Sequence, residues 1–163
     1  MLTFIRKLSD LTNAIAEKIA LLLVVILTVL TTTGVLYRYI LQKPLIWVYE
    51  TSIVTFAWMI FIGVSIAFKR REHIRLNFLV NAVSAKASKC IKIMIELLTI
   101  LFLLVVIKQG FQIVRDTWAQ SYNTINLSIA WFYASFPVSA TLMVIHLIES
   151  VIKLIGQKEN MEI

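Results

Sequence analysis

Residues 19–37 read IALLLVVILTVLTTTGVLY, nineteen consecutive positions without a charge. A bilayer's hydrocarbon core is about 30 Å thick and takes about 20 residues of helix to cross, so this run is long enough to be a membrane span. Arg6 and Lys7 precede it as basic residues precede the apolar region of a signal peptide. The run is longer than such a region, however, and no small-x-small cleavage site follows, so it reads as a retained anchor.

Working outward from it, three further runs meet the same length requirement. The expected spans are residues 14–37, 45–68, 90–107 and 127–152. None shows the apolar-polar alternation of a barrel strand, and a backbone in lipid must satisfy its own hydrogen bonds, so all four are expected to be helices. The fold class is all-α, one polytopic membrane domain over residues 1–163. Composition agrees: 60% of the residues are hydrophobic and 15% charged, against about a quarter charged in soluble proteins. Residues 76–92 set Leu79, Val80 and Val83 against Lys86, Lys89 and Lys92, a pattern expected of an amphipathic helix lying along the inner leaflet between spans two and three.

Orientation follows from the basic residues, which collect on the cytoplasmic side. With the N-terminus inside, that side holds Arg6, Lys7, Lys18, Lys69, Arg70, Arg71, Arg75, Lys86, Lys89, Lys92, Lys153 and Lys158, whereas the outer side holds Arg38, Lys43, Lys108 and Arg115. Both termini are therefore expected in the cytoplasm. Trp47, Tyr49, Trp118, Tyr122, Trp131 and Tyr133 cluster at the outer ends of spans two to four, where amphipathic rings favour the headgroup zone. Trp58 lies in mid-span, either packed within the bundle or touching another membrane subunit.

The formal charge of +7 does not indicate nucleic acid, because the basic residues lie between apolar runs rather than along one face with stacking aromatics. Cys90 stands alone, so it forms no intramolecular disulfide, and no Cys/His spacing fits zinc. Nothing resembles a nucleophile and its base, a phosphate loop or a carboxylate pair; no enzyme activity, cofactor or metal is implied. Pro44 opens span two, where its missing N–H costs nothing, and Pro137 falls inside span four and should kink it. Small residues four apart, Gly63 with Ala67 and Ser135 with Ser139, permit close helix approach.

Ionisable groups in spans are functional candidates by default. Glu50, just inside span two, reads either as a charge-paired clamp with Arg38 or a partner subunit, or as an ion or proton site. Glu96 has Lys92 four residues before it, a helical pair sufficient to explain it. His73 and His146 raise a bis-histidine haem, but His73 falls among basic loop residues and not in a span. Transporters built of inverted repeats carry broken helices around a midplane site; these spans are nearly continuous Leu, Ile, Val and Phe. An accessory subunit fits better than a self-sufficient small carrier or channel, or a haem-bearing electron-transfer subunit.

Several residues together carry a resemblance: Tyr37-Arg38, Pro44, Trp47, Glu50, Trp58, Gly63, Arg71 and His73-Ile74, then Ser128-Ile129-Ala130-Trp131, Tyr133 and Pro137. The chain resembles the small membrane (Q) subunit of tripartite ATP-independent periplasmic (TRAP) transporters over residues 5–155. It departs from the family's usual loop aspartate, reading Arg75-Leu76-Asn77. The resemblance implies a bacterial inner-membrane scaffold for a large subunit that imports an organic acid with sodium, the acid being delivered by a periplasmic binding protein. It also assigns Arg38, Trp47, Glu50, Trp58 and Gly63 to the subunit interface, and Arg70, Arg71, His73 and Arg75 to the inner leaflet or the partner. Tyr122, Asn123 and Trp131 are assigned to the binding protein.

Overall fold

The computed structural model of the chain describes residues 2–70 and 85–156. Four helices make up nearly all of this: α1 (Leu2–Tyr39), α2 (Ile46–Arg70), α3 (Ala85–Asp116) and α4 (Ala130–Gly156). All four are long and apolar enough to cross a membrane, and no strand beyond one isolated bridge occurs among the described residues. The expected all-α, four-span architecture is what the chain adopts. Arg71, His73 and Arg75, and most of the expected interfacial segment at residues 76–92, lie outside the described residues; Lys86, Lys89 and Lys92 belong to α3.

Of the boundaries that differ from the sequence expectation, three have a clear local reason. Helix α1 starts twelve residues before residue 14 because the polar positions of its first turns, Ser9 and Asp10 among them, find partners on other helices. Helix α3 continues past Lys108 to Asp116. Nothing from Gln109 onward breaks a helix, and Gly110 lets the chain pass close under Pro137. Helix α4 starts at Ala130 rather than 127, since Tyr122 N–H donates to Leu127 O at 3.0 Å and ties those residues into the loop.

Helix α4 is the axis. It packs against α3, α2 and, less extensively, α1; among the described helices α1 packs mainly on α2, and α3 packs mainly on α4. Ser65 of α2 and Ser135, Ser139 and Ala140 of α4 are fully or almost fully buried, small side chains that let helix backbones approach in lipid, where packing rather than water exclusion drives association. Larger groups close the seam: Phe61 meets Phe136 edge to face at 4.8 Å, and Leu103, Met143 and Leu147 gather Val64, Phe68 and Ile100 around them. Hydroxyls inside the spans are satisfied locally, Thr28, Thr55 and Thr99 each donating 2.8 Å bonds to the carbonyl four residues back.

The α3–α4 contact is tightest at Gly110, where an added Cβ would lie 3.0–3.2 Å from three atoms of the Pro137 ring. That ring is fully buried and cannot turn aside. Gly63 has nothing within 4 Å of the same construction. Gly110→Ala is therefore expected to destabilise the chain by about 1–3 kcal/mol through overpacking. Gly63→Ala should not, and thermal unfolding of the two purified variants in detergent separates them.

Candidate functional site: an inner polar collar and an outer clamp

At the end of the bundle where α2 finishes, called inner after the orientation expected from the basic residues, Lys69 stands at the last turn of α2 with its ammonium among three acceptors. Its Nζ donates to Ser9 Oγ at 2.9 Å, to Asp10 Oδ1 at 2.7 Å and to Glu149 Oε2 at 2.6 Å. An ammonium has three protons, and each has a partner. Glu149 also receives Lys153, one turn later on α4, through its other oxygen. Ser9 Oγ in turn bonds His146 Nδ1 at 2.8 Å, while the ring's Nε2 is buried without a partner. Alongside, Glu17 Oε1 accepts Asn13 Nδ2 and Arg70 Nη2, both at 3.0 Å. The result joins α1, α2 and α4 at one level, with Lys69, Arg70 and Lys153 set among Asp10, Glu17 and Glu149.

The Lys69–Glu149 pair is well shielded, the Glu149 side chain being 6% exposed and that of Lys69 17%, whereas Asp10 and Lys153 at its edge are open to the surroundings. Burying a charge pair costs desolvation that roughly cancels its attraction, so the pair by itself is weak support for stability. What it does supply is register, because only one alignment of the three helices brings all acceptors to Lys69. No group of three metal-ligating side chains occurs among the described residues.

Helix α3 joins this level through Glu96, whose Oε1 accepts Ser150 Oγ of α4. The expected Lys92–Glu96 pair is not formed; the hydroxyl across the helix interface reaches the carboxylate instead, whereas Lys92 is exposed.

At the opposite end, called outer on the same expectation, the Glu50 carboxylate of α2 meets the loop between α3 and α4. Its Oε2 accepts the backbone N–H groups of Thr124 and Ile125, both at 3.0 Å. The expected partner Arg38 does not pair with it within this chain; its guanidinium lies 5.7 Å from the Tyr39 ring centre. Two amides with no intrahelical partner satisfy the carboxylate as well as a guanidinium would, and also fix the loop. The loop is closed on itself by an antiparallel bridge between Ser121 and Ser128 and by Ile129 N–H donating to Gln120 O at 2.9 Å. Ser128 caps α4, its Oγ accepting Ala130 N–H at 3.2 Å. Trp58 reaches the same end, its indole N–H donating to Trp131 O at 2.9 Å. Burial pushes the Tyr122 phenol above its ordinary value, with the Glu50 carboxylate and Tyr133 adding to the shift.

Of the residues singled out from sequence, the outer loop gathers Glu50, Trp58, Tyr122 and Trp131, with Asn123 exposed beside them. Arg38 and Trp47 are exposed at the outer ends of α1 and α2, and Gly63 stands apart, with Arg70 held to Glu17 at the inner end. Sequence reasoning missed the collar: Ser9, Asp10, Lys69 and Glu149 were not candidates, and His146 entered only as a haem ligand. A signal was present in Glu149 and Lys153, opposite charges one helical turn apart at the end of an apolar run.

Four unbroken spanning helices, tied by charge at one end and by a carboxylate-held loop at the other, define a multi-pass helical membrane protein. Residues 27–157 match the family "Tripartite ATP-independent periplasmic transporters, DctQ component", and the chain belongs to it. It is a transporter component and not an enzyme. It is similar, at 25% identity over 150 residues (92% of this chain, 87% of the relative), to the sialic acid TRAP transporter small permease protein SiaQ of Vibrio cholerae serotype O1. It is 30% identical over 83 residues to the C4-dicarboxylate TRAP transporter small permease protein DctQ of the same organism, covering 51% of this chain and 36% of that one. A third relative, the sialic acid TRAP transporter permease protein SiaT of Haemophilus influenzae, is 28% identical over 116 residues, 71% of this chain but 19% of its own length.

Removing one member of a buried charge pair typically costs about 3–5 kcal/mol, because the other is left uncompensated. Lys69→Met is expected to lower the unfolding temperature of the purified protein accordingly. Lys69→Met combined with Glu149→Leu should recover a large part of the loss. Differential scanning fluorimetry of the wild type, the single variant and the double variant decides between a register-setting pair and a dispensable one.

Proposed function

We propose that this chain is the small scaffold subunit of a TRAP transporter in the bacterial inner membrane, with both termini in the cytoplasm. It supports a large subunit that imports an organic acid together with sodium ions, the acid arriving on a periplasmic binding protein. The observation that carries this reading is that the charged groups buried between the helices bind each other. Among the described residues the spans are unbroken and Lys69 and Glu149 satisfy each other, which leaves little at the midplane to hold a carboxylate or a cation. Solute and ion chemistry then belongs to a partner.

A large membrane partner is supported by the third relative. A match of 116 residues that fills 19% of that permease leaves most of its length outside the part similar to this chain. In that protein the equivalent segment is covalently joined to the rest of a permease. The relatives' sialic acid and C4-dicarboxylate assignments, both carboxylates, support an organic acid as the substrate class.

Within this reading, Arg38, Trp47 and the open side of α2 at Gly63 are offered to the large subunit, with Glu50 and Trp58 acting through the outer loop they hold. Tyr122, Asn123 and Trp131 on that loop meet the binding protein. Arg70 and the basic residues Arg71, His73 and Arg75 serve the inner leaflet or the large subunit.

Affinity purification from native membranes, with mass spectrometry of what accompanies the chain, is expected to recover a large polytopic permease in stoichiometric amount. Recovery of the chain alone would overturn the scaffold reading. Glu50→Gln should weaken the loop attachment and reduce uptake of the transported acid at unchanged abundance of the chain; normal assembly and normal uptake would remove Glu50 from the interface.

A further inference from the structure

The charge-free stretch of each helix lies at a different height in the bundle. These stretches, free of Asp, Glu, Lys and Arg, are residues 19–37 of α1, 51–68 of α2, 97–107 of α3 and 130–148 of α4. Contacts between the helices set their relative heights. Helices α1 and α2 are antiparallel, with Gly34 against Val48 toward one end and Ser9 on Lys69 at the other. Helices α2 and α4 run in the same direction, Trp58 reaching Trp131, Phe61 meeting Phe136 and Lys69 pairing with Glu149. Helices α3 and α4 are antiparallel, with Gly110 under Pro137, Leu103 clustered with Met143, and Glu96 on Ser150.

Carried across these contacts, Thr28 at the middle of the α1 stretch is level with Ile53 of α2, whose own stretch centres near Met59. Ser139 at the middle of the α4 stretch is level with Val64 of α2, and Phe102 at the middle of the α3 stretch with Val144 of α4. The centre thus drops toward the inner end by about five or six residues, roughly 8–9 Å, at each step from α1 to α2 to α4 to α3. That is also the order in which the helices pack. Packed helices stand about 8–10 Å apart, so the drop nearly equals the spacing.

A bilayer lying square across the helices cannot hold all four stretches. Tyr37, at the outer end of the α1 stretch, and Leu97, at the inner end of the α3 stretch, are about 40 Å apart along the bundle, whereas hydrocarbon is about 30 Å thick. Centred on the bundle, such a layer would bury Lys108, which is exposed, level with Ser139 and paired with no carboxylate among the described residues. A lysine at the bilayer centre is costly. The same layer would leave Tyr39, Ile40, Leu41 and Ile46, each 52–72% exposed, standing in water. We propose that the bilayer meets this bundle obliquely, its lipid belt running from the outer half of α1 down to the inner half of α3, with the helices inclined by about 40°. At that lean all four stretches centre on the midplane. Lys108 then lies on the outer side, where its stem carries the ammonium toward headgroup phosphates. Tyr39, Trp47 and their aliphatic neighbours reach the outer headgroup zone that aromatic rings favour. The lean goes beyond the scaffold reading and does not depend on it.

Ile19 of α1 and Phe111 of α3 are level with each other, both beside the stretch of α2 near Phe61, whereas Val29 and Leu101 are at very different heights. All four side chains are exposed, so a label at any of them disturbs no packing. The test uses the full chain carrying Cys90→Ser, with a nitroxide on a single cysteine from Ile19→Cys, Val29→Cys, Leu101→Cys or Phe111→Cys, reconstituted in liposomes of phosphatidylethanolamine and phosphatidylglycerol. Depth is read from the accessibility of each nitroxide to oxygen and to a water-soluble nickel chelate. An oblique seating makes Val29 and Leu101 the deepest positions, with Ile19 and Phe111 shallower by roughly 10 Å, on opposite sides of the midplane. Labels at Ile19 and Phe111 as deep as those at Val29 and Leu101, or deeper, would show a bilayer lying square across the bundle and overturn the proposal.

Discussion

The ammonium of Lys69 decides how the inner half of this molecule is put together. It sits where α2 leaves the membrane, and its three protons go to two residues of α1 and one of α4. Ser9 and Asp10 are neighbours on one turn of α1, so sliding α1 by one turn, about 5.4 Å, would remove both from reach. Apolar helices in lipid have little to fix their register, since one Leu-to-Leu contact is much like another. A saturated charge supplies what the aliphatic surface cannot, and its value lies in specificity more than in stability.

The outer half solves the same problem by other means. Instead of a second charge pair, the Glu50 carboxylate captures two backbone amides of the loop that joins α3 to α4. The α3–α4 hairpin is thereby attached to α2 at its outer end, while Glu96 and Ser150 join its two helices near the inner end. Between these points the helices approach through small residues, Ser65, Ser135 and Ser139, and through Gly110 beneath Pro137. Among the described helices α3 packs mainly on α4, and α1 lies at the opposite side of the group. The four helices thus form an open arrangement with broad apolar flanks, a shape suited to being one part of a larger membrane assembly.

Two sites foreseen from sequence illustrate how far residue type alone can lead. Glu50 was legible as important because a carboxylate inside a span is costly, and it does hold two parts of the chain together. Its partner was not legible: the choice between Arg38 and a pair of backbone N–H groups depends on where a loop seventy-odd residues away comes to rest. The same holds for Glu96, where a hydroxyl on the next helix displaces the neighbour one turn along the same helix. Sequence-local pairing is a sound first guess for an isolated helix, and it gives way when another helix packs on that face.

By itself the sequence determined that there are four spans, that they are helical and roughly where they lie, because bilayer thickness and backbone hydrogen bonding leave a long uncharged run no other option. It also carried the family resemblance that residues 27–157 bear out. The tertiary structure alone decided that Lys69, Ser9, Asp10, His146 and Glu149 are one site, and that Glu17 of α1 is paired with Arg70 of α2 beside it. Those residues are as many as 140 positions apart, and hydropathy reports how deep a residue lies in the membrane but not which neighbour it faces. Lateral arrangement in a bilayer is set by a few polar contacts and close-packed small residues, and these act only once the helices have met.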